Sequence, residues 1–498
     1  MPHVTTRMMA SRGGSVLFLE SARSAFRRHF VSSSMRRFSS IGNKIGIRIP
    51  EKAISNMDQI IQQVLSLPVQ HSEDEVVTIG LPNTDQSTFE GVSNAIAKWN
   101  VDKKVILTTQ FGYRNIGGEG DAVYAGDIPI EENGRLVGIY NTSEEHLNTV
   151  LEKCSDLNQN ENVDVVILLH NPEVQLQNAE NVEEKMLSLK SSFNALENAS
   201  SASHIKSYGI SSNGLCLSPK HPLHLSIDLV LDTVAALTNS NGEPLKSSAL
   251  SDIQLPINLL ERNGLQVAEK VENKCKQSDM FDIDIISCRP LTCYPDGGVG
   301  SGFPFKLIDY NILANMNGET QWTHKIPECP AHYAPSLNAA MGHFDAEELV
   351  EIEQDGDRKL TTEEIETLEG CRLLQSMLAD LDLSLHTMRS FEAYENDLST
   401  KVIPMVHDTF EELDEESAMV LQTFFAAHGA AARHAIAKTT RAQLISGGSG
   451  VTPYEIPKEV KLQEYALLNL LQDDRISKVM VGCSQPQHVL EAYSSIVT

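Results

Sequence analysis

Seven apolar runs recur along this chain, and stretches of helical spacing separate most of them. They are VVTIGL at 76–81, KVILTTQFG at 104–112, VDVVILLH at 163–170, IKSYGISSN at 205–213, DIQLPINLLER at 252–262, FDIDIISCRPL at 281–291 and ISKVMVGCS at 476–484. Strands buried on both faces read as continuous apolar runs, and alternation with helices implies parallel βα units. KIGIRIP, from Lys44, adds a short β-like piece at the start. Helical spacing follows it at 51–67, where Ile54, Met57, Ile60, Ile61, Val64 and Leu65 share a face. A second helix is predicted over 87–99. Thr142-Ser143-Glu144-Glu145 reads as the capped start of another. Residues 113–138 read as a Gly-rich loop. The expected fold is α/β, a (β/α)8 barrel, with polar residues at the strand ends on the face where such barrels build their sites.

The alternation breaks after the seventh strand. From Thr292 to about Pro457 no strand is evident: 295–335 is rich in Gly and Pro, and 345–444 carries long helical stretches. SGGSG at 446–450 precedes the last helices and the eighth strand. The chain thus divides into a barrel over 42–294 and 455–498 and a loop and helical insertion over 295–454. The insertion's size suits a lid or a module that docks a protein partner.

Residues 1–41 belong to neither. The first forty hold seven arginines, no lysine and one acid, Glu20. Together with many serines, that is the composition of an organelle transit peptide. RRFSS at 36–40 resembles a mitochondrial processing site, with a plastid as the alternative destination. The formal net charge of −27 leaves no basic footprint for nucleic acid. No apolar run approaches the ~18 residues of a membrane span. The eight cysteines contain no CxxC pair and form no disulfide framework.

Several segments resemble the aldo-keto reductase superfamily. TTQFG at 108–112 stands where that family ends a strand in Thr-Lys before glycine, and Leu168-Leu169-His170 matches its Leu-Leu-His. GISSN at 209–213 is similar to its Gly-Val-Ser-Asn turn and QLPINLLER at 254–262 to its glutamine strand. RPL at 289–291 matches its Ser-Pro-Leu, and VGCSQPQHVLEA at 481–492 its last cofactor loop. The resemblance covers about 75–291 and 459–498. It implies NADP(H)-dependent reduction or oxidation of a small carbonyl or alcohol, with His170 orienting the carbonyl. It further implies that Ser211, Ser212 and Gln254 hold the nicotinamide amide, with Gly482, Ser484 and Gln487 near the adenosine phosphate.

The sequence departs from that pattern where the chemistry matters most. Gln110 stands at the lysine position, and an amide cannot supply the charge that favours a phenolate. VVTIGLPNTDQSTFEG lacks the tyrosine, and its acid, Asp85, falls late. Tyr113, three residues past Gln110, is the remaining proton donor near the site, with water as the other source. Cys288 replaces the aromatic platform. Arg289 either offers a fork to a phosphate or ion-pairs with a neighbouring acid. Two functions follow: a divergent oxidoreductase, or a catalytically inactive barrel of that type kept for binding or regulation.

Other motifs are weaker. EQDGDRKLTTEEI at 353–365 aligns in part with a calcium loop, but reads better as a helix start with Thr361 as N-cap and Glu364 as its partner. His324, Cys329 and His332 lack a fourth metal ligand. His428 and His434 are six apart and do not share a helix face. No metal is expected.

Overall fold

The fold was obtained as a computed structural model, which describes residues 44–67, 76–82, 86–99, 103–114, 127–132, 135–177, 181–239, 241–294, 304–308, 333–355, 358–385, 387–410, 413–447, 453–458 and 460–497. Residues 1–41, expected from their composition to be a transit peptide, lie outside the described residues, as do Asp85 and the His324, Cys329, His332 group.

Eight parallel strands close into a barrel. They are β1 (Ile45–Arg48), β2 (Val76–Gly80), β3 (Lys104–Phe111), β4 (Val163–His170), β5 (Ser207–Ser211), β6 (Leu250–Pro256), β7 (Asp284–Cys288) and β8 (Lys478–Gly482). Each strand pairs with its sequence neighbour, and β8 closes on β1 through Ile45 opposite Val479. The short β-like piece is therefore the first full stave. Five helices between strands are α1 (Met57–Ser66), α2 (Gln86–Trp99), α3 (Glu144–Lys153), α4 (Val182–Ser201) and α5 (Ile227–Ala235), with α6 (Gly264–Gln277) after β6. Ser143 caps α3 by accepting from the His146 amide, as its sequence predicts.

Register divides the residues of each strand between two environments, because alternate side chains face opposite ways. One set, including Ile47, Val77, Leu107, Ile167, Ile210, Ile253, Ile285 and Val479, packs in the main apolar core with the helices. The other faces the lumen. A Cβ at Gly209 would stand 2.5 Å from the Asp252 carbonyl and 2.7 Å from Leu168 Cδ2, so only glycine lets these strands and side chains approach. Gln110 pairs with Leu168, His170 with Ser211, and Ser211 with Gln254, which places all of them on that inner face.

Residues 113–138 depart from the expected loop. Tyr113–Arg114, Ile128–Glu132 and Arg135–Tyr140 form a three-stranded antiparallel sheet. The sequence between the last two is Asn133-Gly134, a strong hairpin dipeptide. Glycine content hid an alternating pair of strands.

The chain divides into two compact units, one of 1–293, 297–299 and 457–498, the other of 294–296 and 300–456. The second is helical: α7 (Tyr333–His343), α8 (Glu347–Asp355), α9 (Thr362–Ser384), α10 (Phe391–Asp397), α11 (Ile403–Thr409) and α12 (Glu415–Ser446). Its core gathers Leu374, Leu378, Val406, Leu421 and Phe424. His428 is fully buried there, bonded to the Tyr394 hydroxyl at 3.2 Å and the Leu381 carbonyl at 3.0 Å. Burial lowers its pKa, so it packs as a neutral ring. A π-helical turn at Leu398–Val402 leads into Pro404, whose missing N–H and ring would break a regular helix.

Thr361 and Glu364 form a reciprocal capping box at the start of α9, and Arg358 pairs with the same carboxylate. That engages the closing glutamate of the calcium-loop alignment. Thr361→Ala is expected to destabilise the helical unit by about 1 kcal/mol, read as a lower denaturation midpoint. Among the described residues no helix is long and apolar enough to cross a membrane.

Candidate active site at the barrel mouth

The C-terminal strand ends gather His170, Ser211, Arg48 and Cys288 on the lumen side, with Gln110 and Gln254 on the same inner face. His170 is half-buried. Burial, and then the guanidinium groups of Arg48 and Arg289, push its pKa down to about 3. The ring is neutral across the physiological range, and a neutral imidazole offers one N–H to a carbonyl oxygen.

Tyr113 packs edge-on against His170, ring centroids 5.2 Å apart, and edge-on against Tyr140 at 5.0 Å. Its hydroxyl accepts from Asn171 Nδ2 at 3.5 Å. Burial raises the Tyr113 pKa, so the phenol stays protonated. Sequence proximity to Gln110 thus does bring Tyr113 beside the histidine. Tyr140 is fully buried, packed over Gly112, and its hydroxyl finds no partner among the described residues.

Asn171 ties the mouth together. It adopts the left-handed conformation at φ 48°, which asparagine tolerates better than most residues. Its amide donates to the Ser211 carbonyl at 2.7 Å, and its Oδ1 accepts from the Asn213 amide at 3.2 Å.

The buried Glu173 carboxylate accepts from Ser212 Oγ and from the Gly214 amide, both at 2.8 Å. Ser212 Oγ also accepts from the Leu215 amide at 3.2 Å, so this hydroxyl is committed within the protein. Ser211 Oγ donates to Gln254 Oε1 at 2.8 Å, leaving the Gln254 amide nitrogen for another acceptor.

Arg289, at φ 54°, pairs with Glu261 at 3.2 Å, and Asn258 Nδ2 donates to the same carboxylate at 2.6 Å. Gly482 lies at the exposed end of β8, and a Cβ there would meet open space. Ser484 Oγ lies 3.4 Å from His488 Nδ1, and Gln487 is exposed in α14 (Pro486–Val497), which follows α13 (Leu462–Leu471).

Four mouth residues carry no signal in the motif comparison: Arg48, Tyr140, Asn171 and Glu173. Arg48 ends the short β-like piece at the start, which lies outside the segments that carry the resemblance. Asn171 and Glu173 follow the histidine in HNPE, where an asparagine before proline marks a constrained turn. Among the described residues no group of three or more His, Cys, Asp or Glu is arranged to hold a metal ion.

The fold and mouth define a closed parallel (β/α)8 barrel with a polar lumen at its C-terminal end. No family model matches this chain, and no curated protein matches it. Among solved structures it is similar to the glycerol dehydrogenase AKR11B4 from Gluconobacter oxydans. The identity is 10%, the coverage 91% of this chain and 86% of that one, and the TM-score 0.37.

Proposed function

We propose that the mouth is the site of an oxidoreductase of aldo-keto reductase type, acting with NADP(H) on a small carbonyl or alcohol. The observation that carries this reading is the grouping of a neutral His170 with a protonated Tyr113 at a lumen whose inner face also carries Gln110 and Gln254. His170 donates to the carbonyl oxygen and orients it. Tyr113 delivers the proton to the forming alkoxide, directly or through water, with Asn171 fixing its hydroxyl.

The cofactor residues fit in part. Gln254, with a free amide nitrogen, and Ser211 would hold the nicotinamide amide, while the open ground at Gly482, with Ser484 and Gln487, would receive the adenosine phosphate. Arg289 reaches a phosphate only with Glu261 as its existing partner. The nicotinamide, when bound, supplies the hydride.

Titrating NADPH into the protein while following its fluorescence tests the reading. Micromolar affinity is expected, and no change at millimolar cofactor would overturn it. With turnover in hand, His170→Ala is expected to lower kcat/KM about 100-fold. Because His170 is already neutral, the parent profile should show no limb from this residue between pH 5 and 8.

A second reading is a catalytically inactive barrel kept for binding or regulation. The amide of Gln110 in place of an ammonium favours it, as does the commitment of Ser212 to Glu173. A mitochondrial address and a partner for the helical unit belong to the proposal on either reading.

A further inference from the structure

We infer that the barrel mouth takes a carbonyl compound bearing a carboxylate, with Arg48 as the residue that grips the acid. The inference rests on the reading of the mouth as a carbonyl site and names its substrate class.

Arg48 is the last residue of β1. Gly46, two residues earlier, lies on the inner face between its register neighbours Met480 of β8 and Thr78 of β2, so Arg48 is on the same inner face at the rim. Its partners in register are Gly482 on β8 and Gly80 on β2. Both paired positions are glycine, so neither adds a charged or polar side chain opposite Arg48.

Its charge acts on His170 and on Cys288, both on the inner face of the mouth. Neither is an anion here, since burial holds the thiol protonated and the ring neutral. Among the described residues no carboxylate pairs with Arg48. Two described acids near the mouth are engaged elsewhere: Glu173 with Ser212 and Gly214, Glu261 with Arg289 and Asn258.

The contrast with Arg289 is informative. That guanidinium is neutralised by Glu261, whereas Arg48, half-buried, has no answering acid among the described residues. A planar fork suits a carboxylate, and an oxo-acid or short ω-semialdehyde presents one together with the carbonyl that His170 would receive. A neutral aldehyde would leave the arginine unanswered.

Calorimetric titration of the full chain, with and without saturating NADPH, tests this. The probes are glyoxylate and succinic semialdehyde, each against the neutral aldehyde of equal length, acetaldehyde and butanal. At least one acid is expected to bind about 10- to 100-fold more tightly than its neutral counterpart. Arg48→Met should abolish the preference, Arg48→Lys should keep part of it, and Arg289→Met should leave most of it.

Equal affinity for acids and neutral aldehydes would overturn the inference, as would acid binding indifferent to Arg48→Met or failure of both acids to bind. If Arg48→Met instead weakens only NADPH, the arginine serves the cofactor and the inference fails. Failure of NADPH to bind sinks the oxidoreductase reading separately, because the acid preference is measured without cofactor as well. Unchanged circular dichroism and melting of each variant confirm that folding is not the cause.

Discussion

Phe193→Ala is expected to destabilise the barrel unit by about 3–5 kcal/mol, the usual cost of emptying an aromatic site in a packed core. Phe193 lies on α4, has no exposed surface, and stacks on Tyr208 of β5 with centroids 6.1 Å apart. Two features argue against relaxation into the void. The Tyr208 hydroxyl is held by Glu197 at 3.0 Å, one turn further along α4, and Glu197 also accepts from Ser248 Oγ and the Ala249 amide. Tyr208 is thereby pinned between helix and strand and cannot swing into the space that Phe193 leaves. Urea unfolding followed by circular dichroism should show a lower midpoint at unchanged slope for the barrel transition. A loss below about 1 kcal/mol would mean that α4 and β5 close the gap, contrary to this pinning.

Most of the barrel was legible because its outward-facing residues must be apolar to bury the helices, and buried parallel strands announce themselves as unbroken runs. β1 gives the faintest signal, though KIGIRIP still reads as β-like. Its four residues IGIR contain one inward glycine and one inward arginine, so only Ile45 and Ile47 report the strand. The small antiparallel sheet went unread for a different reason. Its strands are amphipathic and lie in a segment dominated by glycine, where a loop is the natural inference from composition.

Site legibility followed the same logic. His170 stands out because a polar ring after seven strand residues is conspicuous. Glu173 does not, because nothing in a sequence distinguishes a buried, hydrogen-bonded glutamate from a solvated one. Its partners, Ser212 and Gly214, are 39 and 41 residues away in sequence. Only the pairing of β4 with β5 brings the two loops together.

That bridge yields the second large effect. Glu173→Ala should destabilise the barrel by about 3 kcal/mol, since it strands the Gly214 amide and the Ser212 hydroxyl in a buried setting. Glu173→Gln should behave differently. Its amide oxygen can still accept from Gly214, and its nitrogen can donate to Ser212 Oγ. Burial raises the pKa of Glu173 above its usual range, against the lowering effect of its hydrogen bonds. The native state therefore binds this proton more tightly than the unfolded chain, and the associated stability is present at low pH. It declines as pH rises from the unfolded value of about 4.3 through the higher native value. The glutamine variant carries no such decline. Unfolding measured from pH 4 to 7 should thus find the glutamine protein gaining on the parent as pH rises, with the alanine protein below the glutamine one throughout. If alanine and glutamine were instead equally stable at pH 7, the carboxylate bridge would not be what joins the loops after β4 and β5, and the positions of Asn171 and Ser212 would need another support.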